Sequence, residues 1–145
     1  MAVLNGPGLG ALGRRQPEIY GKRSEDDLRK LLASWAGELG LEVEYSQHDG
    51  EGELVSAIWS SSPRCGSLVI NPGGYSHTSV AVMDAMEAFP GRVVEVHISQ
   101  VLSREPLRRR LVTARSADVL IAGAGLEGYR LALEVIARPD GSSRA

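Results

Sequence analysis

A chain of 145 residues, 43% hydrophobic and 23% charged with a formal net charge of −2, has the make-up of one compact domain. A chain of this size buries about two-thirds of its unfolded surface and needs no disulfides to fold. The single cysteine, Cys65, supplies no intrachain disulfide, zinc cluster or redox pair, which fits a reducing cytoplasm. The N-terminus shows no basic stretch leading into a long apolar one, so no signal peptide is expected. No apolar run exceeds about five residues, against the roughly 20 that a membrane span requires, which excludes a membrane protein. Of the 16 basic residues only Lys22 and Lys30 are lysine. The basic stretch Arg108-Arg109-Arg110 is balanced by 18 acids and has little aromatic surface beside it, so no nucleic-acid partner is expected.

Val3-Leu4 reads as a strand end, and Gly6-Pro7-Gly8, Gly10, Gly13 and Pro17 keep the following stretch in a long loop. Ser24 begins a helix. Asp27 stands at the capping-box offset, and Leu28, Leu31, Leu32, Trp35 and Leu39 follow at helical spacing until Gly40. Residues 41–45 alternate apolar and acidic and predict a strand, while Leu54, Val55, Ile58 and Trp59 form the stripe of a second helix. Residues 67–70 are a strand ending at Asn71-Pro72-Gly73-Gly74. A third helix opens near Ser76 and carries Val80, Met83 and Ala85. Residues 92–98 predict a strand, 103–110 a short helical or irregular insertion, 119–122 a strand and 126–137 the last helix. Residues 1–138 then form a single domain, with 139–145 a disordered tail.

Strands alternating with amphipathic helices specify an α/β fold, a parallel sheet with helices on both faces. Five strands in one such domain give the flavodoxin-like order 2-1-3-4-5, which binds ligands beyond the carboxyl ends of its strands. The loops after Leu4, Ile70 and Val96 hold Asn5, Arg15, Tyr20, Asn71, His77, His97 and Ser99, so polar residues converge there. Two glycine patterns invite a dinucleotide reading and do not sustain it. Gly8, Gly10 and Gly13 lead into Arg14-Arg15-Gln16-Pro17 instead of a helix that could hold a pyrophosphate. Gly123, Gly125 and Gly128 open a helix with no strand after it, and read as tight strand-to-helix packing.

Several segments keep their order and spacing from Leu4 to Ile136: Leu4-Asn5-Gly6-Pro7, Gly13-Arg14-Arg15-Gln16-Pro17-Glu18-Ile19-Tyr20-Gly21, Glu51-Gly52-Glu53-Leu54-Val55, Ile70-Asn71-Pro72-Gly73-Gly74-Tyr75-Ser76-His77-Thr78-Ser79-Val80-Ala81 and Val94-Glu95-Val96-His97-Ile98-Ser99. Together they resemble the type II 3-dehydroquinate dehydratases. The resemblance implies a lyase of the shikimate pathway and aromatic amino acid biosynthesis, converting 3-dehydroquinate to 3-dehydroshikimate through an enolate with no metal or organic cofactor. It implies Tyr20 as the base at C2, helped by Arg15, since a phenol of reference pKa about 10 needs a neighbouring cation to act near neutrality. It implies His97 as the acid at the C1 hydroxyl. Glu95, two residues earlier on one strand face, is placed to orient the imidazole or favour its protonated form. Asn71 and His77 are implied to bind the cyclic carboxylate substrate, the amides of Ile98 and Ser99 and the Ser99 hydroxyl to receive its carboxylate, and Arg108 to bind ring hydroxyls. Arg104 is implied in lid closure. Asp84 is implied to reach a neighbour's site in a homo-oligomer of trimers gathered into a dodecamer, in the cytoplasm.

The chain also departs from that pattern. Gly8 stands where the family has an asparagine that helps hold a water against the enolate oxygen, and a lost donor of this kind costs about 10²–10³ in rate. Gln100 and Leu102 replace Asn and His, and His48-Asp49-Gly50 replaces Ser-Asn-His. Two alternatives follow: a redirected paralogue acting on a different cyclic substrate in secondary metabolism, and a non-catalytic homologue that binds a small anion.

Overall fold

The computed structural model describes residues 1–14 and 16–138, apart from the side chain of Tyr20. Five strands, β1 (Ala2–Asn5), β2 (Glu44–Gln47), β3 (Ser67–Asn71), β4 (Arg92–His97) and β5 (Val119–Ala122), form one parallel sheet in the order β2-β1-β3-β4-β5. This is the expected order. Around it stand α1 (Pro17–Tyr20), α2 (Glu25–Leu39), α3 (Glu51–Ser61), α4 (Val80–Glu87), α5 (Pro106–Arg109) and α6 (Glu127–Ala137).

Alternate strand residues feed two apolar layers, as the twofold period of a strand buried on both faces requires. Val3, Val69, Val94 and Val96 pack with Leu28, Leu32 and Trp35 of α2 and Tyr129 and Leu133 of α6. Leu4, Leu68, Ile70 and Val93 face the other way, against Leu54 and Ile58 of α3 and Val82, Ala85 and Met86 of α4. This parity decides the site, because Asn5 and Asn71 share the α2/α6 side with Val3 and Val69, whereas Glu95 and His97 share the α3/α4 side with Val93.

The Ser24 capping box forms as expected: the Asp27 amide donates to Ser24 Oγ at 3.2 Å and the Ser24 amide to Asp27 Oδ2 at 2.8 Å. Four expectations need correction. The second strand begins at Glu44, because the Leu41 amide turns back to the Ala36 carbonyl at 2.8 Å and is spent closing α2 beyond Gly40. Trp59 lies on the outer side of α3, 53% exposed, so the buried stripe is Leu54 and Ile58. Residues Gly73–His77 form a 3-10 turn, and α4 starts only after Ser79, whose Oγ accepts from the Val82 amide at 2.9 Å; Val80 is consequently exposed. The expected loop after β1 contains a 3-10 turn, Leu9–Ala11, and then α1, whose first residue Pro17 has the fixed φ that suits a helix start. The expected tail, 139–145, lies outside the described residues.

Candidate active site

The carboxyl ends of β1, β3 and β4 open into a cleft of about 260 Å³. Its walls bring together Asn71, His77, His97, Ile98, Ser99, Arg104 and Arg108, all expected from the sequence, along with Gly8. Three elements make this convergence: β3 ends at Asn71, the 3-10 turn after it carries His77, and β4 delivers His97 with Ile98 and Ser99 just beyond.

His97 and Glu95 point to one side of β4. Glu95 is fully buried, and its Oε1 lies 2.7 Å from His97 Nε2. A carboxylate accepting from Nε2 fixes the ring and leaves Nδ1 as the nitrogen for a ligand. Glu95 Oε2 is buried without a hydrogen-bond partner among the described residues.

His77 is held differently. Its Nδ1 lies 2.9 Å from the Arg110 carbonyl and must donate to it. Ser76 Oγ, 3.3 Å from Nε2, already gives its single hydrogen to the Gly73 carbonyl at 2.8 Å, so Nε2 keeps its lone pair. Burial holds the imidazole below its ordinary pKa, with the Arg110 carbonyl opposing that shift in part. His77 is therefore a neutral acceptor suited to a ligand hydroxyl.

The anion end of the cleft is shaped from the neighbouring strand. The Gly123 amide donates to the His97 carbonyl at 3.1 Å and the Gly125 amide to the Ile98 carbonyl at 3.0 Å. Gly123 has φ 87°, and a Cβ there would meet Gln100 Cβ at 3.2 Å, so only glycine turns this corner without strain. The glycine pattern read as strand-to-helix packing does pack, since a Cβ on Gly128 would lie 3.2 Å from Val96 Cγ1, and it also anchors the β4 carbonyls.

Arg104 and Arg108 bring positive charge to the cleft wall. Arg108 pairs with Glu105, whose other oxygen lies 3.9 Å from Arg104 Nε. Among the described residues no group of three or more His, Cys, Asp or Glu side chains could hold a metal ion.

Some expected residues stand elsewhere. Asn5 does not line the cleft: it is fully buried beneath it, accepting from the Tyr129 hydroxyl at 2.7 Å and donating to Tyr45 at 3.1 Å. Asp84 is exposed on α4 and is not part of its own chain's cleft wall. Arg15 and the Tyr20 side chain lie outside the described residues. Tyr129, which the sequence reading does not single out within the last helix, proves to touch Asn71. The one available signal was its hydroxyl, which a buried tyrosine must satisfy.

A doubly wound sheet with a basic cleft at its carboxyl edge and a carboxylate-supported histidine inside is the architecture of an enzyme that moves protons on a small anion. A family model described as dehydroquinase class II matches residues 1–137. The chain belongs to that family. It is 43% identical over 138 residues to the 3-dehydroquinate dehydratase of Bartonella henselae, covering 95% of this chain and 93% of that one. It is 45% identical over 134 residues to that of Cereibacter sphaeroides, covering 92% and 91%. The crystal structure of type II dehydroquinase from Propionibacterium acnes superposes with a TM-score of 0.92 at 42% identity, covering 94% of each chain. Among the described residues no helix is long and apolar enough to cross a membrane.

Proposed function

We propose that the protein is a 3-dehydroquinate dehydratase, converting 3-dehydroquinate to 3-dehydroshikimate and water. The observation that carries the chemistry is the buried Glu95–His97 pair at the carboxyl end of β4, followed by Ile98 and Ser99 in a cleft that two arginines also line. Class II dehydroquinase membership supplies the substrate.

The reaction is proposed to run in two proton steps. The Tyr20 phenolate, favoured by Arg15, takes the C2 proton, and the C2–H electron pair moves to the C3 carbonyl oxygen as an enolate. The enolate then reforms the ketone as the C1–C2 double bond forms and the C1–O bond breaks. His97 gives its proton to the departing hydroxyl, which leaves as water. The proton held by Tyr20 returns to His97 through solvent, so the cycle needs no other reactant. Ile98 and Ser99 hold the carboxylate, His77 Nε2 accepts from a ring hydroxyl, Asn71 and Arg108 bind ring hydroxyls, and Arg104 closes the lid.

The proposal extends to assembly. Asp84 is exposed and outside its own cleft wall, which suits a role at a neighbour's site in trimers gathered into a dodecamer, located in the cytoplasm. Residues 1–138 act as one domain. Purified protein mixed with 3-dehydroquinate tests the reading: absorbance of the conjugated enone product should rise and saturate with substrate. No absorbance change at micromolar enzyme would overturn it.

A further inference from the structure

Beneath the cleft runs a chain of five hydrogen bonds whose direction is fixed at both ends. At the inner end the Gly73 amide, which can only donate, gives to Asn71 Oδ1 at 3.1 Å. Asn71 Nδ2 gives to the Tyr129 hydroxyl at 3.2 Å, which gives to Asn5 Oδ1 at 2.7 Å. Asn5 Nδ2 gives to the Tyr45 hydroxyl at 3.1 Å, and Tyr45 gives to Glu25 Oε1 at 3.0 Å. At this outer end stands a carboxylate, which only accepts and which also receives Arg29 at 3.2 Å.

A reversed chain is disfavoured at both ends. If the Asn71 amide flipped, Tyr129 would have to give its hydrogen to Asn71, Asn5 would flip to donate to Tyr129, and Tyr45 would turn to donate to Asn5. Glu25 would then face a lone pair, and the Gly73 amide an N–H. Each mismatch forfeits a hydrogen bond at a half-buried end of the chain, worth about 1 kcal/mol. Asn5 and Tyr129 are fully buried and Asn71 nearly so, which keeps water from the middle of the chain.

We infer that Tyr129, Asn5, Tyr45 and Glu25 are positioning residues that set the orientation of the Asn71 amide, so that a ligand hydroxyl in the cleft meets a fixed edge of one donor and one acceptor. Asn71 lies in the cleft wall, whereas Glu25 belongs to the first turn of α2 and lies outside that wall. An asparagine free to rotate would lose affinity to the ordering that binding then demands. The inference deepens the dehydratase reading and rests on it for the identity of the ligand.

A double-mutant cycle separates positioning from support of the fold. Two quantities are read: KM for 3-dehydroquinate, and the calorimetric dissociation constant of quinate, which needs no turnover. Tyr129→Phe should raise both by about five- to tenfold in the parent, the worth of one net hydrogen bond, with kcat within about twofold. In an Asn71→Ala background the same change should cost less than about twofold, because the group it acts through is gone. Glu25→Gln lies near the surface and leaves the packing of the core intact. A glutamine can donate as well as accept, so it should weaken quinate by about two- to fivefold in the parent and have no effect beside Asn71→Ala. Equal costs in both backgrounds, or no cost in the parent, would overturn the inference. Failure to turn over 3-dehydroquinate would instead strike at the dehydratase reading, because the quinate cycle is read separately.

Discussion

Glu95 Oε1 lies 2.7 Å from His97 Nε2, and the two side chains are 0% and 5% exposed, so the imidazole meets its carboxylate in a nearly dry setting. A contact of this kind sets the ring's orientation more firmly than one in water, because no solvent competes for Nε2. His97→Ala should lower kcat on 3-dehydroquinate by at least about 10²-fold, and Tyr20→Phe by a similar factor, since each removes a proton-transfer group. Glu95→Gln retains the shape and should lower kcat by at least about tenfold, because a neutral amide no longer balances the positive charge of an imidazolium that gives its proton from Nδ1. Quinate affinity should change much less in all three. Unchanged turnover in any one would remove that residue from the proposed machinery.

Gly8 sits at φ 79°, ψ −6°, in the left-handed region, with its amide 3.4 Å from Asp49 Oδ1. Asparagine tolerates that region better than most residues, so Gly8→Asn should fold. If the position lacks only an enolate stabiliser, the variant should raise kcat on 3-dehydroquinate by at least about tenfold, with KM changing less, because the amide acts on charge that develops after proton removal. A folded variant with no gain would favour a substrate other than 3-dehydroquinate. Thermal melting and light scattering establish the folding first.

His77 gives a pH signature. Its folded-state pKa lies below the ordinary 6.5, so between those two values the unfolded chain binds the proton and the folded chain does not. The stability associated with neutral His77 is thus present above pH 6.5 and is lost as pH falls through the folded value. His77→Gln should lose less stability than the parent between pH 7.5 and pH 5.5, values chosen to bracket roughly that window. Urea midpoints at the two pH values measure it. The KM of the parent should also rise on the acid side, because a proton on Nε2 removes the acceptor. Parallel pH profiles for parent and variant would contradict the assignment.

Asp84 offers a test of assembly. Light scattering at micromolar concentration should give about twelve chains per particle. In that case Asp84→Asn should change turnover although the residue lies outside its own cleft wall. A monomer would end that role for Asp84.

Much of the site was legible because its chemistry is local in sequence. Glu95 and His97 share a strand face by simple alternation, whereas the places of Ile98 and Ser99 came with the family resemblance. What periodicity could not reach was Tyr129 against Asn5, where a residue that looks like helix core carries a polar function set by tertiary contact. Boundaries failed where a local hydrogen bond overrode the apolar pattern, as when Leu41 closed α2 instead of opening β2. Trp59 shows the reverse error, an apolar residue at helical spacing that the fold leaves outside. The strand order was recoverable because few arrangements of alternating strands and helices satisfy two buried faces.

The bond from Tyr129 to Asn5 spans 124 residues, and the Gly123 and Gly125 amides that hold the β4 carbonyls come from the same late segment. The cleft is therefore completed by β5 and α6, acting on the first strand. A nascent chain that has extruded β1 to β4 holds most of the proposed ligand-contacting residues and still lacks the parts that aim Asn71 and the Ile98–Ser99 turn. Contacts of such high sequence separation form late and slowly in folding. Binding competence should then arrive only once residues 119–137 have been added. A fragment ending before Val119 should fail to bind quinate, and adding the missing segment as a separate peptide is the direct way to ask whether the two pieces restore one another.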